Sequence, residues 1–226
     1  MSSSDNDRAG DLLIQEVDEE LRREQYELLW KRYGHWAIGA ALAVILIVAG
    51  YQGWQRYQAD KRRQEAAALT SAQELVVQGK TAEAAQAFLK LADGAHDGTA
   101  VEARMRAADL LSASGDKAAA AAALDAIAKS SAPSLYRDLA VIKSALLALE
   151  SGDAAALLPR LTEVAAAGNP WQAEATEVLA MAALKKGDTA RAIDLFKQLS
   201  DDAQAPQALR ARAAEMLAAL SQPTKG

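Results

Sequence analysis

The chain contains no cysteine, which excludes disulfides, thiolate metal sites and thiol nucleophiles. Histidine is nearly absent too: His35 lies beside a long apolar run, and His96 lies between Asp93 and Asp97. One imidazole with loop carboxylates makes neither a metal ligand set nor an acid–base pair. No glycine-rich phosphate loop, nucleophile elbow or paired intramembrane charge occurs. No catalytic, cofactor-binding or metal residue is therefore expected, and the chain reads as a non-enzyme. Positive charge is not in excess, the formal net charge being −5. That argues against nucleic acid, whose binding needs a basic face to displace counterions. Aromatic residues make up only 5 % of the sequence. Alanine, leucine, glutamate, lysine and arginine dominate, and these side chains lose little freedom in a helix.

One long run carries no charge at all. From Trp36 to Gly53 the chain reads WAIGAALAVILIVAGYQG. Roughly 18–20 apolar residues cross a hydrocarbon core about 30 Å thick. Trp36 at one end, with Tyr51 and Trp54 at the other, suits the headgroup layers. A membrane helix is expected over residues 35–55. A cleaved signal peptide fits poorly, because the preceding 35 residues hold nine acidic and five basic side chains. Charge leaves the orientation open: Arg22, Arg23, Lys31 and Arg32 on one side balance Arg56, Lys61, Arg62 and Arg63 on the other.

Before this run, residues 1–10 are polar and read as a disordered tail. Over residues 11–34, Ile14, Val17, Leu21 and Leu28 recur at helical spacing among charged residues. A short amphipathic helix is expected there, running into the membrane helix near Tyr33–Gly34. Its apolar stripe either rests on lipid or docks on a membrane partner.

Beyond the run the chain repeats itself. Gly79, Gly115, Gly152 and Gly187 each open a similar segment, at intervals of 36, 37 and 35 residues. Seven residues before each stands alanine: Ala72, Ala108, Ala145 and Ala180. Five, nine and twelve residues after come Ala84, Phe88 and Leu91, then Ala120, Leu124 and Ile127, then Leu157, Leu161 and Val164, then Ala192, Phe196 and Leu199. Each glycine is expected to end one helix in the left-handed conformation, with the following Asp, or Thr81, capping the next. The alanines let antiparallel helices approach, and the apolar sets face inward. Such a helix pair cannot bury its apolar face alone, so neighbours stack.

This phasing resembles the tetratricopeptide repeat, with small residues at its eighth and twentieth positions, glycine at the fifteenth and a bulky apolar residue at the twenty-fourth. The first helices lack the family's aromatic knobs, and Pro159 should displace or kink the helix start of the third unit. Loops are expected at Asp93–Gly98, Ser130–Ser134, Gly168–Pro170 and Asp201–Pro206. A capping helix is expected over Gln207–Leu220. The expected fold is all-α: an amphipathic arm and single membrane helix, then a repeat solenoid over residues 56–220 of about four helix pairs plus the cap, with a frayed tail at 221–226.

Mapping the tetratricopeptide phasing onto the chain places Leu69, Gln73, Val76, Met105, Asp109, Leu139, Ile142, Leu146, Met181 and Leu184 on a concave face. This mixed lining, with its flexible methionines, suits protein or peptide partners. It lacks the ordered basic and asparagine positions with which some repeat domains clamp a terminal carboxylate.

Several stretches together resemble the YfgM-like ancillary subunits of the bacterial Sec translocon, in their alphaproteobacterial form. They are Glu16-Val17-Asp18-Glu19-Glu20-Leu21-Arg22-Arg23, Leu29-Trp30-Lys31-Arg32-Tyr33-Gly34, Leu135-Tyr136-Arg137-Asp138-Leu139-Ala140, Gly168-Asn169-Pro170-Trp171, and the run from Leu209 to Leu217. The resemblance implies a single-pass protein of the bacterial inner membrane with a cytoplasmic N-terminus and a periplasmic repeat domain. It implies as partners the translocon, a membrane-anchored periplasmic chaperone and exported clients. The alternative is a structural scaffold or self-assembling adaptor of another envelope complex, with Ala37, Gly39, Ala40, Ala41 and Ala43 packing membrane helices closely.

Overall fold

The computed structural model describes residues 4–151 and 154–221. Residues 1–3 of the expected tail, residues 222–226 and the Gly152-Asp153 turn signal lie outside the described residues. Among the described residues the chain is helical throughout, without strands: α1 Ser4–Val77, α2 Thr81–Gly94, α3 Asp97–Ala113, α4 Lys117–Ala128, α5 Ser134–Ser151, a 3-10 turn Ala155–Leu157, α6 Leu158–Val164, α7 Gln172–Lys185, α8 Thr189–Asp201 and α9 Gln207–Ser221. Two compact units divide it, Met1–Arg62 and Arg63–Gly226.

The arm, the apolar run and the start of the repeats belong to one helix, α1. Residues 4–10, expected to be disordered, are its beginning. The physical reason is the absence of any breaker: the first proline of the chain is Pro133. Isolated glycines such as Gly34 cost a helix only about 1 kcal/mol. In the first unit the Trp30 ring lies over Gly34, where an added Cβ would stand 3.2 Å from it. Beyond, Ile45, Leu46 and Ile47 are 61–71 % exposed. The most apolar window of this helix has a mean hydropathy of 1.8 and is only 6 % buried. A core helix of equal composition would be covered by its own chain. This one is long and apolar enough to cross a membrane.

The second unit is built by repetition. Gly79, Gly115 and Gly187 have φ of 76°, 90° and 81°, the left-handed region that favours glycine. Each closes the same double bond at a helix end. Gly79 N donates to Val76 O and Lys80 N to Leu75 O, both at 2.9 Å. The bonds Gly115 N to Ser112 O and Asp116 N to Leu111 O repeat it, as do Gly187 N to Leu184 O and Asp188 N to Ala183 O. This is the Schellman arrangement, which satisfies carbonyls a helix end leaves unpaired. The next helix starts at once, because Asp116 accepts from Ala119 N at 3.0 Å and Asp188 from Arg191 N at 3.1 Å. Thr81 does not cap α2. The residue after Gly79 is Lys80, which takes the N-cap position without a side-chain bond and puts Thr81 inside the helix.

All four alanines seven residues before the glycines are buried, at 0–2 % exposure. So are the inward sets, save Leu157, which is half-buried in the 3-10 turn. Pro159 explains that turn. It lies in the first turn of α6, where its missing N–H costs nothing, and it delays the helix to Leu158. The loop expected at Asp93–Gly98 narrows to Ala95 and His96, since α2 and α3 extend into it. Helices α3, α5, α7 and α9 touch in series, with α2, α4, α6 and α8 interleaved between them. The packing of the second unit takes hold at Glu65, which accepts from His96 Nδ1 at 2.7 Å and from His96 N at 3.3 Å. His96 thus ties α1 to the connection between α2 and α3.

Candidate protein-binding face

The first helices of the pairs are the second unit's part of α1, then α3, α5 and α7, with α9 continuing the row. The residue after each conserved-position alanine is Gln73, Asp109, Leu146 or Met181. In the first two repeats it reaches a cation two residues before the next alanine. Arg106 Nη1 donates to Gln73 Oε1 at 3.3 Å. Lys143 pairs with Asp109 in the same relation. At the third junction the corresponding pair is Leu146 and Val178, so no bridge forms at that position, and Lys185 instead donates to Leu149 O further along the same two helices; Leu146 is 39 % exposed and Val178 is buried. A different bridge closes the fourth junction. Arg212 grips Glu177 with Nε and Nη2, both at 2.8 Å, and this bond holds the guanidinium above its ordinary pKa. An apolar gap therefore stands between two polar junctions on the face of the first helices.

The other expected face residues divide by burial. Leu69 and Val76 are half-buried against Phe88 and Leu91. Met105 packs on the central core, Leu184 on the C-terminal core and Met181 on both. Leu139 is half-exposed. Ile142 is only 5 % exposed and belongs to the central core, so it is a packing residue rather than a contact surface. Its neighbours Leu161, Val164, Ala175 and Val178 close over it from the third and fourth repeats. Gln73, Val76, Arg106, Asp109 and Leu110 line a shallow cleft of about 140 Å³ over Phe88.

Sequence phasing named Gln73 and Asp109 but missed their partners Arg106 and Lys143, and it missed both members of the Glu177–Arg212 pair. The signal was present as complementary side chains about one period apart, 33–35 residues. Lys117 and Glu150 pair likewise at 2.8 Å. The Lys117 hydrogen bond, reinforced by its charge, holds the Glu150 carboxyl below its ordinary value. A carboxyl lowered on folding adds stability above its unfolded pKa and loses it as the pH falls through the folded one. Glu150→Gln is therefore expected to melt slightly earlier than the native chain at neutral pH and together with it in acid. A difference persisting below the carboxylate range would assign the effect to packing instead.

A second depression of about 230 Å³ is lined by Arg137, Asp138, Arg160, Glu163 and Asn169. Its polar groups serve the fold: Arg160 donates to Ala128 O at 3.2 Å, at the end of α4, and Asn169 Nδ2 to Asp138 at 2.9 Å. Among the described residues no cluster of three or more His, Asp or Glu could hold a metal ion.

No curated protein and no solved structure matches the chain. Repeat domains built of such helix pairs typically bind proteins and are not catalytic. Residues 28–222 match the model of the tetratricopeptide repeat-like domain, and the chain belongs to that family.

Proposed function

We propose that this protein is a membrane-anchored, non-enzymatic accessory factor of Sec-dependent protein export. The apolar part of α1 anchors it in the bacterial inner membrane, with the N-terminus cytoplasmic and the repeats periplasmic. The face of the first helices holds a membrane-anchored chaperone or an emerging client near the translocon. The observation that carries protein binding is the apolar gap at Leu146, set between the Asp109–Lys143 and Glu177–Arg212 pairs. An apolar position flanked by polar pairs follows the apolar-centre, polar-rim layout of protein interfaces. The export setting is supported by the stretches shared with the Sec ancillary subunits and by the exposed apolar helix.

A photo-crosslinker at Leu146 or Met105 in intact cells is expected to capture a translocon subunit or periplasmic chaperone. Leu146→Glu is expected to weaken that capture on the order of 30-fold, the loss of about 2 kcal/mol at an anchor. Capture of no envelope protein at either position would reject the reading. A reporter active only outside the cytoplasm, fused after Gly226, tests the orientation separately.

A further inference from the structure

The residues that close the apolar run carry an inference about lipid, and it rests on the membrane reading above. Between Tyr51 and Arg62, α1 presents Tyr51, Trp54 and Tyr57 at 54–62 % exposure. The Trp54 and Tyr57 rings lie 6.3 Å apart, and the Lys61 ammonium stands 5.5 Å from the centre of the Tyr57 ring. These three residues, spaced i, i+3 and i+7, form one stripe. Beside it Tyr51, Trp54, Gln55, Gln58, Ala59 and Arg62 line an open groove between side chains along one face of α1. Over residues 51–62 the cations are Arg56, Lys61 and Arg62, and the single carboxylate is Asp60.

The axial spacing sorts these groups by depth. With Trp54 at the edge of the hydrocarbon, Arg56 stands about 3 Å further out and Lys61 and Arg62 about 10–12 Å. The headgroup layer is roughly 5–8 Å deep on each side. Arg56 is then level with the phosphates, and the long stems of Lys61 and Arg62 reach back to them. The aromatic rings fill the layer beneath. A zwitterionic lipid brings its own ammonium and leaves the excess positive charge of this segment unbalanced. An acidic phospholipid neutralises it.

We propose that residues 51–62 form a collar that recruits acidic phospholipid, a headgroup phosphate seating in the groove between Trp54 and Arg62 with Arg56 and Lys61 beside it. The test uses the full chain reconstituted in phosphatidylcholine vesicles containing a minority of phosphatidylglycerol. After mild detergent extraction, mass spectrometry quantifies the lipid that stays with the protein. Phosphatidylglycerol is expected to be enriched at least about fivefold over its bulk share, from an attraction near that size per basic residue. The triple variant Arg56→Gln, Lys61→Gln, Arg62→Gln should fall to parity, while Lys31→Gln with Arg32→Gln, at the other end of the run, should keep the enrichment. Raised salt during reconstitution should reduce it. Bulk-ratio lipid around the native chain, or enrichment that survives the triple variant, overturns the collar alone. Failure of the native chain to float with vesicles of either lipid overturns the collar together with the membrane reading.

Discussion

Phe196→Ala is expected to destabilise the chain by about 3–5 kcal/mol and to do so in one place. The ring is 1 % exposed and packs among Ala173, Ala180, Ala183, Ala192, Leu199, Ala205, Leu209 and Ala213. Most of those neighbours are alanines, whose short side chains cannot swing into the space a missing ring leaves. Met181 and Met216 at the edge of the cluster can refill part of it, so the loss stays within that range. In a stack whose repeats touch only their neighbours, the loss should stay near its origin. Hydrogen exchange on the full chain in detergent is expected to show α7, α8 and α9 losing protection while α2, α3 and α4 keep theirs. Phe88→Ala, nine residues after its own glycine, should give the opposite pattern. Its ring is fully buried against Ala72, Ala92, Ala103 and Ala107. Equal loss of protection along the whole stack in either variant would show a single cooperative block and reject the repeat-by-repeat account.

The same two phenylalanines show how much of the fold the sequence disclosed. Position within the repeat is written in local chemistry. A glycine is needed where φ is near +80°, an aspartate follows where a helix must start, and an alanine stands where backbones close in. Those signals placed the turns at Gly79, Gly115 and Gly187 and the helices on either side of them. They failed at Thr81, because the cap depends on the residue directly after the glycine and in the first unit that residue is Lys80. The full extent of α1, from Ser4 to Val77, was missed for a different reason. Gly10 looks like a boundary in a sequence, but without proline nothing stops the hydrogen-bond ladder from running through it.

The face of the first helices was legible in phase and not in exposure. Leu69, Met105, Ile142 and Glu177 hold one repeat position, three residues before the alanine, yet Ile142 is buried and Glu177 forms a bridge to Arg212. What covers each member is set by the next repeat, a partner some 35 residues away. Periodicity along one helix says nothing about that partner. The gap at Leu146 arises in the same way. It appears only once Val178, rather than a cation, is seen to occupy the facing position.

Placing two arginines in the apolar run, Ala43→Arg with Ile47→Arg, is expected to release the protein from the membrane. Both positions are exposed, lie near the middle of the run and stand one helical turn apart on one face. Each arginine at the centre of a membrane helix costs about 2.5–3.5 kcal/mol, and two together about 5–7 kcal/mol. Each leucine, isoleucine or valine of the run returns only about 0.3–0.6 kcal/mol, so the pair cancels most of what holds the helix in lipid. The interfacial aromatics Trp36 and Trp54 stand about two turns from Ala43 and Ile47, and the cost per arginine already includes what snorkelling returns. Alkaline carbonate extraction should leave the native chain, and an Ala43→Leu, Ile47→Leu control, in the membrane pellet and move the arginine variant to the supernatant. The repeats should remain folded in that variant, since the core around Leu124, Ile127 and Leu161 is built by residues of α2 to α8 and takes none from the apolar run. Hydrogen exchange separates release from collapse. Retention of the folded arginine variant in the pellet would show that something other than this helix binds the membrane.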